Sequence, residues 1–422
     1  MEEDLIVDMG VPTTTPKIIK VIGVGGGGGN AVNYMYRTGI HDVNFVVCNT
    51  DSKALADSPV PVRLQLGNEG LGAGNRPARA KAAAEESIEG IRAMLDDGTK
   101  MVFITAGMGG GTGTGAAPVI AHEAKEKGIL TVGIVTIPFR FEGNKKIDQA
   151  LDGVDAIRKE VDALLVINNE KLREIYPELS IRSAFQKADN TLSIAARSIA
   201  EIITMHGIIN LDFQDVGTVL RDGGVALMST GYGEGEGRVT KAINEALHSP
   251  LLNNNDIFNS KKILICISFS EDETGEDGTS QELMMEEMNE VNDFMEQFRD
   301  DVETKWGLST DPELGKKVKV TILATGFDIN AVAGMQEKKK AEEEADLMKE
   351  KEKQEENEER RTQFYGYSND RGVRKHFFKT FVFQSEDCDN EELTALVEAV
   401  PTCRRTKEIL NDIKSKSVKA KV

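Results

Sequence analysis

The sequence has few of the residues that build metal centres or disulfide scaffolds. Only four cysteines and five histidines occur among 422 residues. The cysteines are scattered without a C-x-x-C pair, and the histidines lie far apart. This scarcity argues against structural zinc, a metal cluster and a disulfide-rich secreted fold. It is typical of a protein of the reducing cytoplasm.

Positive charge and long apolar runs are also scarce. There are 51 lysines and arginines against 70 acidic residues, which gives a formal net charge of −19. Such a surface argues against nonspecific binding to nucleic acid or to anionic membranes. No apolar run approaches membrane-spanning length, and the acidic start Met1–Asp4 lacks the features of a signal peptide. We therefore expect a cytoplasmic protein that neither binds nucleic acid nor inserts into a membrane.

Glycine, in contrast, is concentrated in two segments. One of them, 107–115, reads Gly-Met-Gly-Gly-Gly-Thr-Gly-Thr-Gly and follows the apolar run Met101–Ala106. Glycines between a strand and a helix leave backbone N–H groups accessible to an anion, most often a phosphate. A P-loop would end in lysine followed by serine or threonine, and this segment does not. Phosphate charge would then be met by backbone dipoles, the two threonine hydroxyls and a metal ion.

The other glycine-rich segment, 23–30, follows a strand-like run as well. Gly23, Gly25 and Gly28 satisfy the G-x-G-x-x-G spacing of dinucleotide-binding folds. Asp51 follows the next strand, where a nicotinamide enzyme holds its ribose. A dehydrogenase is therefore an alternative, although it leaves the glycine segment 107–115 unexplained. Two phosphate-binding segments suit one nucleotide with a long phosphate chain.

Strand and helix patterns alternate along the first part of the chain. The strand-like runs are Lys17–Ile22, Val43–Cys48, Met101–Ala106, Leu130–Ile137 and Ala163–Ile167, and the helix-like runs include Arg79–Met94 and Ala116–Lys127. This order predicts the α/β class, with a Rossmann-like parallel sheet wrapped by helices and ligands at the carboxyl ends of the strands. Both glycine segments fall at such ends.

A long helical pattern, Ser183–Met205, separates this region from a second one. Its roughly 23 residues would span about 35 Å, the width of a domain. A smaller α+β domain is predicted beyond it, with strands Gly224–Ser229, Ile263–Phe269 and Lys317–Ala324 and helices Arg238–Leu247 and Glu282–Phe298.

The composition changes near Gln336. Glu337–Arg361 is almost entirely Glu, Lys, Gln and Ala, which predicts a solvated helix or a disordered linker. Apolar residues at near-helical spacing in Glu391–Lys414 predict a partner-binding segment on a flexible tether. The predicted boundaries are 1–15 for a disordered extension, 16–182 for a nucleotide-binding domain, 183–207 for a central helix, 208–328 for the smaller domain, 329–362 for the charged linker and 363–422 for the tail.

A short acidic segment follows the long helix. Asp212 and Asp215 are three residues apart, which places both carboxylates on one side of a first helical turn. Two interpretations stay open. Asp212 is the N-cap of a helix, with Asp215 as an acid in its first turn, or the carboxylates orient and polarise a water that attacks a γ-phosphate. Both can hold together.

Four segments in this order resemble the tubulin/FtsZ family of GTPases, and its bacterial cell-division branch more than tubulin. They are Gly23–Asn30, Gly109–Gly115, Thr136–Gly143 and Asn210–Asp215. The resemblance, which runs from about Lys17 to Phe327, implies that GTP or GDP binds in one subunit, with Mg²⁺ held mainly through the nucleotide. It further implies that Asn210, Asp212 and Asp215 of the next subunit complete catalysis in trans. Head-to-tail filaments at the division site, at mid-cell, are the implied product.

The resemblance also implies which residues bind the nucleotide. Those assigned to the phosphates are Gly25, Gly26, Gly27, Asn30, Gly109, Gly110, Gly111, Thr112 and Gly113. Glu142 matches the ribose-binding acid, Asn169 the asparagine beside guanine, and Phe185 the aromatic residue along the base. The simpler readings of Glu142 and Phe185 are a solvated loop charge and a core side chain.

Three features depart from the family pattern. Lys146 replaces an arginine near the phosphates, which keeps the charge and loses the bidentate fork. Asp189-Asn190 replaces Asn-Asp, so the resemblance assigns the base contact to Asn190, which has a donor and an acceptor but no charge. The loop 66–74, near the γ-phosphate, is shorter than in the family.

The tail resembles the family at one short segment. The family ends in a peptide with a proline followed by arginines, which binds membrane-tethering and division-regulating proteins, and Pro401–Arg405 resembles it. The resemblance implies such partners for the tail. A third interpretation of the whole chain is a tubulin-like relative that binds nucleotide without polymerising. The intact pair Asp212 and Asp215 argues against it.

Overall fold

One twisted sheet organises residues 17–327. The structure, a computed structural model, describes residues 17–40, 42–205, 207–249, 257–270, 282–298, 302–327, 387 and 389–417. In these ranges the strands are β1 (Ile19–Val24), β2 (Val43–Asn49), β3 (Val62–Gln65), β4 (Met101–Gly107), β5 (Leu130–Ile137), β6 (Ala163–Asn168), β7 (Gly207–Ile209), β8 (Gly224–Gly233), β9 (Lys262–Phe269), β10 (Glu303–Thr310) and β11 (Val318–Phe327). Their order across the sheet is β3-β2-β1-β4-β5-β6-β8-β11-β9-β10-β7.

The first seven strands in this order run parallel, from β3 to β8. β11 then pairs antiparallel with both β8 and β9, and β10 is parallel to β9. Every residue of β1 and β5 is buried, as expected for parallel strands with helices on both faces. The predicted α/β class and Rossmann-like parallel sheet are therefore confirmed.

Helices cover both faces of the sheet. In the described residues they are α1 (Gly25–Thr38), α2 (Ser52–Ala56), α3 (Pro77–Glu86), α4 (Ile88–Leu95), α5 (Thr112–Glu126), α6 (Asn144–Arg158), α7 (Asn169–Ile175), α8 (Ile181–Thr204), α9 (Phe213–Leu220), α10 (Arg238–Leu247), α11 (Met288–Met295), α12 (Glu391–Ala399) and α13 (Lys407–Lys416). One core cluster joins α1, α8 and α9 to one face, and another joins α5 and α6 to the opposite face of the parallel strands. A third packs α10 and α11 on β8, β9 and β11.

The helices near the glycine segments begin within the glycines or directly after them. α1 starts at Gly25, inside the first glycine run, and α5 starts at Thr112 instead of Ala116. The glycines therefore form the first helical turns, whose N–H groups have no partner within the helix. The single helix predicted over Arg79–Met94 is two helices, α3 and α4, which meet at Ser87.

The long helix α8 spans 24 residues, Ile181–Thr204, and nearly coincides with the predicted Ser183–Met205. It begins two residues early because the Ser180 hydroxyl accepts the N–H of Ser183 as an N-cap. Its buried residues include Leu192, Ala195, Ala196 and Ile199, the apolar face that the sequence pattern predicts.

The second half of the chain departs more from prediction. The helix predicted over Glu282–Phe298 is wrong at its start, since only Met288–Met295 is helical. The Glu287 carboxylate accepts hydrogen bonds from Nε of the buried Arg238 at 2.7 Å and from the N–H of Met284 at 2.8 Å. These contacts hold the residues before α11 in turns. β10 was not predicted, because Glu303–Thr310 contains no apolar run.

The described residues of the tail belong to the second of the two units into which the chain divides, 345–422. Its described part contains α12 and α13, in the region predicted to be helical around Pro401. Arg405 donates to the carbonyls of Val397 at 2.7 Å and Val400 at 3.0 Å, which satisfies the end of α12. The Ser417 hydroxyl donates to the Asp387 carboxylate at 2.9 Å.

Some predictions concern residues that the structure does not describe. The extension 1–15 and the charged linker 329–362 lie outside the described residues, as do 363–386 of the tail. The predicted domain boundaries therefore stay predictions. Among the described residues, no helix is both long and apolar enough to cross a membrane.

Candidate functional site

A cavity of about 480 Å³ lies where the two glycine segments meet, beyond the carboxyl ends of β1, β4, β5 and β6. The lining residues are Gly26, Gly27, Asn30, Gly107, Met108, Gly110, Gly111, Thr112, Gly113, Thr136, Pro138, Glu142, Lys146, Asn169, Phe185, Ala188, Asp189 and Leu192. The carboxyl ends of parallel strands are where such sheets bind ligands. The two glycine segments and the segment 136–143, far apart in sequence, thus line one cavity.

Several glycines here are required by the fold itself. A Cβ at Gly28 would lie 2.1 Å from the carbonyl oxygen of Thr105, and one at Gly113 would lie 2.5 Å from that of Gly107. Gly25 and Gly109 have positive φ, +73° and +89°, a region that favours glycine. These contacts bring the starts of α1 and α5 close to the strand ends.

Two other glycines have no such structural reason. A Cβ at Gly26 or at Gly110 would meet no atom within 4 Å, and neither residue has a positive φ. Both line the cavity. Open space over glycine at the start of a helix is what a phosphate group would occupy, because it receives backbone N–H groups directly. The residues present therefore fit a bound phosphate chain.

Side chains hold the second glycine segment in shape. The Thr114 hydroxyl accepts the N–H of Gly109 at 2.9 Å. Gln149 of α6 donates to the carbonyl of Gly110 at 2.9 Å and to that of Gly109 at 3.2 Å. These contacts engage the carbonyls of Gly109 and Gly110 and the N–H of Gly109, so they hold this segment in place beside the cavity that Gly110 lines. Sequence analysis did not identify Gln149, because a single glutamine on a helix gives no signal.

Hydroxyl groups add to this end of the cavity. The hydroxyls of Thr112 and Thr50 lie 2.8 Å apart. Thr112 lines the cavity as the first residue of α5. Among the residues that the structure describes, no three His, Cys, Asp or Glu side chains form a group that could hold a metal ion.

Lys146 and Glu142 lie together on the cavity wall. The Lys146 ammonium donates to one carboxylate oxygen of Glu142, and the other oxygen accepts the N–H of Phe139 at 2.9 Å. Glu142 is thus anchored in its turn, unlike a solvated loop charge. Lys146 is the only cation among the lining residues of this cavity in the described chain.

α8 lines the other end of the cavity with Phe185, Ala188, Asp189 and Leu192. Phe185 of α8 packs edge-on against Phe139, with ring centroids 5.1 Å apart, and remains 40% exposed. It is therefore only half in the core and offers a face to a planar ligand. Asn169 begins α7 and is buried, and its Oδ1 has no hydrogen-bond partner. An unpaired buried acceptor is costly, so this atom fits a ligand donor.

Asp189 lines the same end of the cavity. Burial raises the pKa of its carboxyl to about 6. The family resemblance implies a base contact for Asn190, which is not among the lining residues. Asp189 follows Phe185 by four residues and precedes Leu192 by three, so all three share one face of α8. That spacing is the sequence signal that could have identified Asp189 as a lining residue of the cavity.

Most of the predicted binding residues line the cavity. Three predicted binding residues, all of them described, do not line it: Gly25, Gly109 and Asn190. Gly25 and Gly109 shape the backbone of their segments, as their positive φ values indicate. Asp51, which the dehydrogenase alternative assigned to a ribose, instead caps α2 by accepting the N–H of Lys53 at 2.9 Å.

The acidic segment does not reach the cavity of its own chain. Asn210, Asp212 and Asp215, all described residues, are absent from the cavity lining. Asp212 caps α9, and the two aspartates accept each other's backbone N–H groups. Asn210 accepts the N–H of Gly207 at 2.7 Å. Lys305 of β10 lies 3.0 Å from Asp215 and holds the pKa of that carboxyl below its usual range.

Family models match three regions of the chain. The model described as "Tubulin/FtsZ family, GTPase domain" matches residues 18–177, and "FtsZ family, C-terminal domain" matches residues 224–328. A third, "FtsZ, C-terminal", matches residues 375–420. The tail therefore resembles this family over a longer stretch than the short segment at Pro401–Arg405.

Individual relatives agree with these matches. The chain is 50% identical to the cell division protein FtsZ of Porphyromonas gingivalis, over 98% of this chain and 91% of that protein. It is 44% identical to that of Coxiella burnetii, over 75% of this chain and 80% of the relative. Among solved structures, an empty FtsZ dimer of M. jannaschii matches with a TM-score of 0.66 at 38% identity, covering 75% of this chain and 89% of that one.

Proposed function

The chain belongs to the FtsZ family of the tubulin/FtsZ GTPases, and from this premise we propose that it assembles head to tail into filaments. It binds guanine nucleotide and hydrolyses GTP, as its GTPase domain implies. In the proposal, hydrolysis is completed by the acidic segment Asn210–Asp215 of the neighbouring subunit. The filaments serve cell division, as the names of the relatives indicate, at the division site at mid-cell.

This proposal rests on the separation, within one chain, between the cavity and the acidic segment Asn210–Asp215. Among the described lining residues the carboxylates are Glu142 and Asp189. The resemblance assigns Glu142 to the ribose, and Asp189 lies near Phe185 on the same face of α8, so the acids proposed to act on the γ-phosphate come from outside this cavity. The acidic segment supplies carboxylates at a partly exposed helix start. Head-to-tail contact would bring the acids of one copy to the cavity of the next, and such a contact generates filaments instead of closed pairs.

Exposed apolar side chains support the same contact. Phe141, in the segment 136–143 that contributes to the cavity lining, is 59% exposed. Ile208 and Trp306, near the acidic segment, are 69% and 43% exposed. A head-to-tail contact would bury such side chains from both ends, and removing apolar surface from water stabilises a contact.

The chemistry follows from these positions. The two glycine segments bind the phosphates through N–H groups, with Lys146 adding positive charge. Asn169 accepts a hydrogen bond from guanine, and Asp189 accepts two from its N1–H and amino group. The neighbour's Asp212 and Asp215 orient a water whose oxygen bonds to the γ-phosphorus as the bond to the β–γ bridging oxygen breaks. The water's proton passes to a carboxylate or to the phosphate released.

A magnesium ion fits this arrangement through the nucleotide. Since no three His, Cys, Asp or Glu side chains of the described residues form a group that could hold a metal ion, it would be held by phosphate oxygens, with the Thr112 and Thr50 hydroxyls nearby. When bound it neutralises charge on the phosphates. The chain's own part is to position those phosphates.

The tail supplies the proposed partner contact. Its match to a family C-terminal model over 375–420 supports binding of membrane-tethering and division-regulating proteins there. Of the apolar residues in α12 and α13, Leu410 is 42% exposed and would be available to a partner, whereas Leu393 and Ile413 are buried.

Assembly and turnover test the main proposal together. With GTP and Mg²⁺, the protein should sediment as polymer, and its specific activity should fall on dilution below the assembly threshold. Trp306, the single tryptophan, should change its fluorescence across the same threshold. Constant specific activity at all concentrations would contradict the proposal and favour a relative that acts alone.

A further inference from the structure

Lys305 connects the sheet to the acidic segment. It lies in β10, in register with Leu264 of β9, a core residue on the face against which α9 packs. Its Nζ lies 3.0 Å from Oδ1 of Asp215. Both side chains are partly exposed, 39% for Lys305 and 28% for Asp215. The pair is therefore at the surface where the neighbouring subunit would arrive.

The two oxygens of Asp215 are held from different directions. Oδ1 pairs with Lys305, and Oδ2 accepts the N–H of Asp212 at 3.3 Å. The second contact is long and comes from the same helix start, so it cannot fix the carboxylate relative to the sheet. Lys305 is the contact that does so.

We propose that Lys305 is a positioning residue for GTP hydrolysis, which holds the Asp215 carboxylate in the orientation presented to the neighbour's nucleotide. The inference rests on the proposed action of Asp215 in trans. Lys305 itself touches neither nucleotide nor water in this account. A charge-assisted hydrogen bond from a lysine restricts a carboxylate more than a neutral donor does.

Other charged groups surround the pair without replacing Lys305. Asp212 lies on the same helix start, and Glu303 precedes Lys305 in β10 by two residues. Lys262 of β9 donates to the Thr218 carbonyl of α9 at 2.7 Å. Lys262 is thus a second lysine that tethers α9 to the sheet, but through a backbone carbonyl. This makes it a matched control for a purely structural role of Lys305.

The test uses full-length Lys305→Met, Lys305→Arg, Lys262→Met and Asp215→Asn proteins. GTP turnover is measured against protein concentration, so that the intercept gives the assembly threshold and the slope gives turnover per assembled subunit. The KM for GTP is measured above the threshold. Because each slope is read above its own intercept, weaker assembly of a variant does not obscure it.

We expect Lys305→Met to lower the slope about three- to tenfold, with KM changed less than about twofold. Lys305→Arg should restore most of the slope, and Lys262→Met should leave it unchanged. A wild-type slope for Lys305→Met, or an equal loss in Lys262→Met, would overturn the inference. The proposed function fails separately, if Asp215→Asn keeps the wild-type slope.

Discussion

Asp212 and Asp215 bind each other's backbone at the start of α9. Asp212 Oδ1 accepts the N–H of Asp215 at 2.8 Å, and Asp215 Oδ2 accepts the N–H of Asp212 at 3.3 Å. The cap that the sequence pattern predicts is therefore present. The cap uses Oδ1 of Asp212 and Oδ2 of Asp215. Oδ2 of Asp212 is left for a water, whereas Oδ1 of Asp215 is paired with Lys305 and can accept from a water only through its second lone pair. The structural and the proposed catalytic roles use different atoms.

Substitutions at Asp212 should separate these two roles. Asparagine caps helices about as well as aspartate, whereas alanine costs about 1 kcal/mol. Asp212→Asn should keep the free energy of unfolding of the wild type and lose at least about tenfold in GTP turnover. Asp212→Ala should lose both. Denaturant unfolding and turnover above the assembly threshold measure the two effects, and an active Asp212→Asn protein would limit Asp212 to capping.

Alanine at Gly26 and Gly110 should weaken nucleotide binding without harming the fold. Added methyl groups would enter the open space of the cavity and meet no protein atom within 4 Å. We expect Tm to change by less than about 2 °C and affinity for GDP to fall about tenfold. Titration of each variant with GDP measures this.

Gly29→Ala is the control for these two substitutions. Gly29 also has no atom within 4 Å of an added Cβ, but it does not line the 480 Å³ cavity. Its affinity for GDP should match the wild type. Equal losses in all three variants would mean that the open space at Gly26 and Gly110 is not where phosphate binds.

Guanine nucleotide affinity should depend on the ionisation of Asp189. Burial raises the pKa of this carboxyl to about 6. The ionised form accepts both guanine donors, while the protonated form loses one acceptor. GDP affinity should therefore be constant at higher pH and fall as pH drops through about 6. Asp189→Asn should bind more weakly and remove this dependence, and an unchanged pH profile in that variant would assign the effect elsewhere.

Removal of the tail should separate turnover from recruitment. A protein lacking residues 391–422 keeps the sheet, the cavity and the acidic segment. We expect wild-type GTP turnover in solution and loss of the protein from the division site in cells, because α12 and α13 are proposed to bind the tethering partners. Fluorescence microscopy of tagged full-length and shortened proteins measures this. Unchanged localisation would refute the partner-binding role.

The phosphate end of the site could be predicted largely from sequence. Glycine segments between strands and helices have strong local signals, since only glycine allows both positive φ and close backbone approach. The structure places Gly26 and Gly110 at one cavity although 84 positions separate them. Their convergence follows from the parallel order of β1 and β4, which the alternating pattern predicts.

The base end and the second half of the chain were harder to predict. The contribution of Asp189 depends on which face of α8 meets the cavity, and only the helical spacing from Phe185 indicates it. β10 lacks an apolar run because it lies near the edge of the sheet. The contact between Lys305 and Asp215 joins positions 90 residues apart and has no local signal at all.

The central claim is that each GTP is hydrolysed with acids from another subunit, and labelled nucleotide tests it most directly. Asp212→Ala subunits are loaded with γ-³²P-labelled GTP and mixed with wild-type subunits in a large excess of unlabelled GTP. The account predicts that labelled phosphate is released when wild-type subunits are added, and not when more Asp212→Ala protein is added. Label that stays on the Asp212→Ala subunits as GTP in the presence of wild-type subunits would contradict it.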